Sequence, residues 1–426
     1  MVLVFAIFLV LLFAGMPVAF SAGISGVFYF VQHPEMPFNQ FVQLTVTQTQ
    51  NVALLSVPMF ISAGNLMNAS GITNRLLHFA GVLTQNMRGG MAQTSVVLST
   101  LMGGVSGSAV ADAAMEARIL GPSMIKSGYS RPYTAVVIGF TALITATIPP
   151  GNNLILYGIA GEVSIGRLFM AGLTAGLIMM VLLMIIVAIT SRIKGYKAPS
   201  DRRATIHEIL QALLESIWAV IFPIILLFGI RFGWFTPSEV GAFACIYSLF
   251  VGVVAYRELR FKGILKVLRD STTDVGGIMF LIASTGSFGY GIPVDRVPQV
   301  LTRFVLGITD SAIAVQLIIV CVLLIAGMFM EGGVLVLILT PIFLPVVKSV
   351  GVDPVFFGIL MSTTCLVGIL TPPVGIAMYI VNGLLDVKLK DYVRESIPFM
   401  IAVILEIIFL ICFPEIITFL PNLLYR

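Results

Sequence analysis

Two consecutive prolines in the middle of a long apolar run leave a chain few ways to fold. In residues 145–157, TATIPPGNNLILY, Pro149 and Pro150 remove two backbone donors in succession, and their rings clash with the preceding turn. Each also pushes the residue before it out of the α region. Gly151, Asn152 and Asn153 then supply a flexible link and two amide side chains. In a bilayer, backbone freed in this way survives only where protein buries it or a watery cavity solvates it. A broken helix at membrane depth therefore marks a candidate site.

The design recurs. Residues 368–381, GILTPPVGIAMYIV, again place Pro-Pro and a nearby glycine inside apolar sequence, with Pro372 and Pro373 lying 223 positions after Pro149 and Pro150. The same offset pairs Gly128 with Gly351, Pro122 with Pro345, Ile119 with Ile342 and Gly104 with Gly327. Further back it slips to 220, where Met59-Phe60 matches Met279-Phe280 and Gly71-Ile72 matches Gly291-Ile292. The chain reads as two structural repeats, the first covering 1–190 and the second 205–426. A basic linker, 191–204, joins them.

Composition sets the solvent. Of 426 residues 58% are hydrophobic and only 10% charged, against roughly 25% charged in globular chains. Mean hydropathy is +1.05, and several runs approach the ~20 residues that span a bilayer. The expected fold is an all-α integral membrane protein in a lipid bilayer. A net charge of +4, scattered between spans, argues against a nucleic-acid partner. Cys245, Cys321, Cys365 and Cys412 sit singly in apolar runs and read as packing residues.

Taken in order, residues 1–30 form an apolar segment bent at Gly15-Met16-Pro17. Residues 65–90 are more polar and predict a loop with a short helix. A hairpin over about 91–127 turns at GGVSGS (103–108), with arms too short to cross ~30 Å at ~1.5 Å per residue. A re-entrant hairpin is expected, followed by a broken helix over about 132–160. In the second repeat, hairpin 313–350 turns at GMFMEGG (327–333), and a broken helix covers about 355–384. Residues 256–270 and 291–299 read as loops and 399–420 as the last span. The basic stretches 191–203 and 256–270 flank two spans and are expected in the cytoplasm, since lysine and arginine in loops set orientation. Lys388, Lys390 and Arg394 join them, while their repeat partners face outward. The repeats are then inverted.

Inverted repeats with paired broken helices point to a secondary transporter with its site near the midplane. Half-helix N-termini offer N–H groups to an anion, while carbonyls and hydroxyls suit a hard cation such as Na⁺. Cation candidates are Gly103, Gly104, Ser106, Thr145, Thr147, Gly327, Met330, Gly332 and Thr371, with further hydroxyls at Ser99, Ser362, Thr363 and Thr364. Substrate candidates are Ser108, Asn152, Asn153, Glu331, Pro150 and Pro373. The asparagines suit a polar substrate or a helix cap. Asp112 suits a cation, a proton or a positive substrate group, or equally a carboxylate at a helix N-terminus. Glu116 and Arg118 are expected at the interface. No H-E-x-x-H, G-x-S-x-G or P-loop pattern is present. The alternatives of another class are a membrane enzyme using Asp112 and Glu331, and a passive scaffold subunit.

The stretches VPMFISAGNLMNASG (57–71), GGVSGSAVADAA (103–114), IPPGNNLILYG (148–158) and the run from GMFMEGG through TPPVGIAMY (327–379) resemble the large membrane subunit of tripartite ATP-independent periplasmic (TRAP) transporters. The resemblance covers essentially the whole chain. It implies a sodium-driven secondary importer of the bacterial inner membrane, moving by an elevator mechanism with scaffold and transport domains. It also implies a small four-helix membrane subunit on a separate chain, and a periplasmic binding protein that delivers an organic acid. Family members often read I-P-P-S-I where this chain has Ile148-Pro149-Pro150-Gly151-Asn152, so a serine is lost and amides appear. The chain looks similar to the sialic-acid branch, which implies N-acetylneuraminate as cargo. The C4-dicarboxylate branch is the alternative.

Overall fold

The computed structural model describes residues 1–50, 52–200 and 202–425. Among these the regular elements are helices, with no strand. The chain opens with α1 (Val2–Phe13) and α2 (Val18–Gln32), separated at Gly15, whose φ of +86° is left-handed. Helices α3 (Asn39–Thr49), α4 (Ser56–Ala69) and α5 (Ile72–Thr84) follow. The polar stretch 65–90 is therefore mostly helical rather than loop. Its turns are confined to Ser70 with left-handed Gly71 and to residues 85–89, and the polar side chains between them sit on helix faces.

Helices α6 (Gly90–Gly103), α7 (Ala109–Ile119) and α8 (Gly121–Lys126) form the first hairpin. The first broken helix is α9 (Arg131–Thr147) and α10 (Asn152–Ala160), bent by 45° at the prolines. The 30-residue α11 (Ile165–Lys194) ends in a left-handed Gly195 cap. Next, α12 (Ile206–Glu215) starts in a capping box of Thr205 and Glu208, and α13 (Ile217–Arg231) leaves it at 68°. Helix α14 (Pro237–Phe250) continues into a π-helical turn, Val251–Ala255.

The next helix, α15 (Phe261–Val294), corrects two expectations. Most of the basic stretch 256–270 belongs to it, and the presumed loop at 291–299 shrinks to Asp295 and Arg296 before α16 (Val297–Leu306). Lysine and arginine stems extend along a helix while their charges stay wet, so a basic stretch need not be a loop. Helices α17 (Ala312–Gly327) and α18 (Gly332–Ser349) form the second hairpin, α19 (Pro354–Gly368) and α20 (Ile376–Leu385) the second broken helix. The last span is α21 (Leu389–Cys412), ten residues earlier at its start than expected, and α22 (Pro414–Leu424) closes the described chain.

Among the described residues five helices are long and apolar enough to cross a membrane, or seven if each bent pair counts as one. Their flanks fit: Val181, Ile185 and Ile189 on α11 are about half exposed, as lipid-facing residues are. The centre is the opposite. Every residue from Tyr133 to Thr147 in α9, and from Val355 to Gly368 in α19, is buried. With lipid as apolar as leucine, helices here are held by close packing rather than by escape from water. A Cβ on Gly176 of α11 would stand 2.3 Å from Ile148 Cγ1, and Phe399 of α21 packs against Tyr133 and Phe140. Around this centre α2, α3, α4, α14 and α15 pack as one group, and the hairpins and broken helices as another.

Candidate functional site

In each repeat the hairpin tip abuts the break. Helices α6 and α9 end side by side, so that a Cβ on Gly103 would lie 2.6 Å from Ile148 Cβ. The tip turns at Gly107, φ +64°, where a Cβ would stand 2.2 Å from the Pro150 carbonyl oxygen. The Asn152 N–H donates to Gly107 O at 3.3 Å. In the second repeat α17 and α19 end together, and a Cβ on Gly368 would lie 2.4 Å from Gly327 Cα. There the Gly375 N–H donates to Met328 O at 3.0 Å. Asn152 and Gly375 are again 223 positions apart. Both Pro-Pro bonds, 149–150 and 372–373, are cis.

This geometry sorts backbone charge. The last carbonyls of a helix lack partners within it and carry its partial negative charge. Two such ends meet at each junction. The helices that leave the tips and breaks present their partly positive N-terminal ends instead, with the first N–H of α10, that of Asn152, already spent on Gly107 O. Helix α7 starts after Ser108, whose Oγ accepts from the Ala111 N–H at 3.4 Å, α10 starts after Gly151, and α18 after Glu331.

A cavity of about 640 Å³ lies where the tips face α2, α4 and α15. Ser106, Ser108 and Asn152 line it from the first repeat, Met330 and Glu331 from the second, and Asn65 and Asp274 from α4 and α15. Asn65 Nδ2 donates to Asp274 Oδ2 at 3.0 Å and to Ser271 Oγ at 3.1 Å. The volume suits a small organic molecule.

The family model for the tripartite ATP-independent periplasmic transporter, DctM component, matches residues 5–416. The chain belongs to this family. Among its relatives, the Vibrio cholerae sialic acid TRAP transporter large permease protein SiaM is 32% identical over 97% of this chain and 96% of its own. The Escherichia coli 2,3-diketo-L-gulonate permease YiaN is 32% identical over 95% and 94%. The Pseudomonas aeruginosa C4-dicarboxylate permease DctM is 32% identical over 88% and 87%. A solved structure, the Alcanivorax borkumensis YdaH transporter, shares the fold with a TM-score of 0.60 at 14% identity, covering 88% of this chain and 87% of its own. As a DctM component the chain is a multi-pass inner-membrane transport subunit and not an enzyme. Its family implies a small membrane subunit and a periplasmic binding protein as partners.

Of the residues singled out from the sequence, Ser106, Ser108, Asn152, Met330 and Glu331 share the cavity of this DctM component. Gly103, Gly327 and Pro150 form the junctions behind it, and Gly104 packs on Pro223, where a Cβ would lie 2.0 Å from Cγ. Pro373 is exposed and does not line the cavity. Asn153 does not line it either. It is buried against the start of α18, with a Cβ on Gly332 only 2.7 Å from Asn153 Nδ2. The hydroxyls of Thr147, Thr371 and Thr364 each donate to a carbonyl four residues back in their own helix. Ser362 Oγ and Thr363 Oγ1 are buried with no hydrogen-bond partner among the described residues.

Glu116 is a correction. It is fully buried rather than interfacial, while Arg118 is exposed. Its carboxylate accepts from Ser95 Oγ at 2.5 Å and Ser99 Oγ at 2.7 Å. Beside it Asp112 Oδ2 accepts from Thr145 Oγ1 at 2.6 Å, and Ser99 Oγ stands 3.3 Å from the same atom. Thr141 joins through Ser95 at 2.8 Å. Three helix faces lock through this polar cage, which compensates Glu116 and one oxygen of Asp112 for lost water, while Asp112 Oδ1 has no partner among the described residues. The signal was in the sequence: 95/99, 112/116 and 141/145 are all i, i+4 pairs, on one helix face each. Four of the six are apolar at the offset of 223, being Ile318, Val322, Leu335 and Leu339. Asn65 and Asp274 carried no such mark.

Proposed function

We propose that this chain is the transport subunit of a Na⁺-coupled importer for a hydroxylated sugar acid, of which N-acetylneuraminate is the type. A periplasmic binding protein delivers the cargo, and the hairpins and broken helices carry it across by an elevator movement. The observation that carries the proposal is the cavity flanked by two matching tip–break junctions. N–H groups opening α7 and α10, with Ser108 and Asn152, meet the cargo carboxylate.

Sodium is co-transported cargo in this reading, and the donor set fits it. A hard monovalent ion wants oxygens, and the paired helix ends supply carbonyls without a competing cation. Gly103, Gly104 and Ser106 would serve at the first junction, and Gly327, Met330, Gly332 and Thr371 at the second. Thr145 and Thr147 donate their hydroxyl protons to protein acceptors, which leaves their hydroxyl oxygens and carbonyls to serve a cation. Binding that draws tip and break together sets the neighbouring N–H groups through shared backbone. Sodium and acid then favour the same closed state, and each raises the affinity for the other.

The dicarboxylate reading rests on one observation, the equal identity of the Pseudomonas aeruginosa relative. Parallel uptake separates them. Proteoliposomes holding the chain and its small partner, with binding protein outside, receive labelled N-acetylneuraminate or labelled succinate. The proposal expects the first to enter. Entry of succinate alone would replace the substrate, and entry of neither would remove both substrates.

A further inference from the structure

The cavity has an unusual charge balance for a protein that imports acids. Two carboxyl groups line it, Asp274 on α15 and Glu331 at the second hairpin tip, while no lysine, arginine or histidine does among the described residues. The Glu331 side chain makes no hydrogen bond among the described residues, and as the N-cap residue of α18 it does not cap its own helix. Asp274 is held in place. Asn65, one helix away, donates to one of its oxygens at 3.0 Å, and the same amide reaches Ser271 Oγ at 3.1 Å. The amide nitrogen is thereby spent, and Asp274 faces the cavity as an acceptor.

We infer that Asp274, positioned by Asn65, together with Glu331 reads the end of the cargo remote from its carboxylate and selects for hydrogen-bond donors there. The inference deepens the proposed function and rests on it, since it assumes an acid in this cavity. A cargo with hydroxyl or amide donors at that end satisfies both acceptors. A dicarboxylate brings a second negative charge to them, with no basic side chain among the described lining residues to offset it, and like charges brought together are discriminated against. The specificity is thus polar-ended: one carboxylate, and donors opposite. Neither Asp274 nor Asn65 belongs to the hairpins or the breaks, so one of the two selecting acceptors sits on the wall the cargo leaves behind, while Glu331 belongs to the second tip. Selection then occurs on entry.

The test is competition for uptake of labelled N-acetylneuraminate by unlabelled succinate or gluconate, in the complete three-component system. In the unmodified protein gluconate competes and succinate does not. In Asp274→Asn the charge is lost and the shape kept, and succinate becomes about tenfold more effective as a competitor. Glu331→Gln does the same from the opposite wall and stands as an independent variant if Asp274→Asn fails to fold. Asp270→Asn, one turn earlier on α15 and outside the cavity lining, leaves the ranking unchanged. Unaltered selectivity in both cavity variants, with uptake intact, overturns the inference while the proposed function stands. Uptake of no acid by the unmodified system overturns both.

Discussion

Gly368→Ala tests the second junction with a single methyl group. A Cβ at this position would lie 2.4 Å from Gly327 Cα, 2.5 Å from Gly327 C and 2.9 Å from Gly327 O. All three are backbone atoms, so no rotamer change relieves the contact. Carbon atoms rest at about 3.5–4.0 Å from one another, so tip and break must part by roughly 1 Å. Overpacking of this kind costs about 1–3 kcal/mol, and at ~1.4 kcal/mol per tenfold the closed junction becomes about tenfold to a hundredfold rarer. The expected result is a rise of that order in the Na⁺ concentration giving half-maximal uptake, measured in proteoliposomes with the small subunit and binding protein present. Gly383→Ala is the control, because a Cβ there meets nothing within 4 Å. It should leave the Na⁺ dependence unchanged. A Gly368→Ala protein that folds and keeps the original Na⁺ curve would refute the claim that this contact closes the cation site.

Three further expectations concern other parts of the molecule. Glu116→Leu removes the acceptor that Ser95 and Ser99 share and leaves them only Thr141 and Asp112, at about 1–3 kcal/mol for the unmade bonds, whereas Glu116→Gln keeps an acceptor there. Thermal unfolding in detergent should show a clear loss for leucine and a much smaller one for glutamine; equal values would discount the cage. Thr205→Ala removes the capping box of α12, worth ~1 kcal/mol, and amide exchange over residues 206–215 should quicken about fivefold. Gly71→Ala forces a side chain onto φ +78° and sets its Cβ against Glu258, whose Oε1 receives Arg75 Nη1 at 2.6 Å. It should lower stability more than Arg75→Ala does, since strain is added to the lost pair.

How much of this was legible depends on the kind of force at work. The breaks and tips could be read because Pro-Pro and paired glycines act locally, whatever surrounds them. The offset of 223 turned two local signals into one architecture. Burial of Glu116 could not be read from its own neighbourhood. It follows from three helices meeting, and the i, i+4 pattern carries meaning only once their faces are known to converge. Asn65 and Asp274 were hidden for a different reason. The charges at 256–270 made the start of α15 resemble a loop, which hid the continuous helix wall on which Asp274 lies. Asn153 shows the converse: its type suited a ligand contact, but the bend of α10 turns it toward α18.

The proposed function requires that an inward Na⁺ gradient drive acid uptake through this subunit. The direct measurement is accumulation of labelled N-acetylneuraminate in proteoliposomes of the complete system, with a Na⁺ gradient imposed and then dissipated by a sodium ionophore. The account predicts accumulation above the outside concentration that collapses when the gradient is removed, and none with K⁺ in place of Na⁺. Equal accumulation under a K⁺ gradient, or accumulation that survives the ionophore, would contradict it.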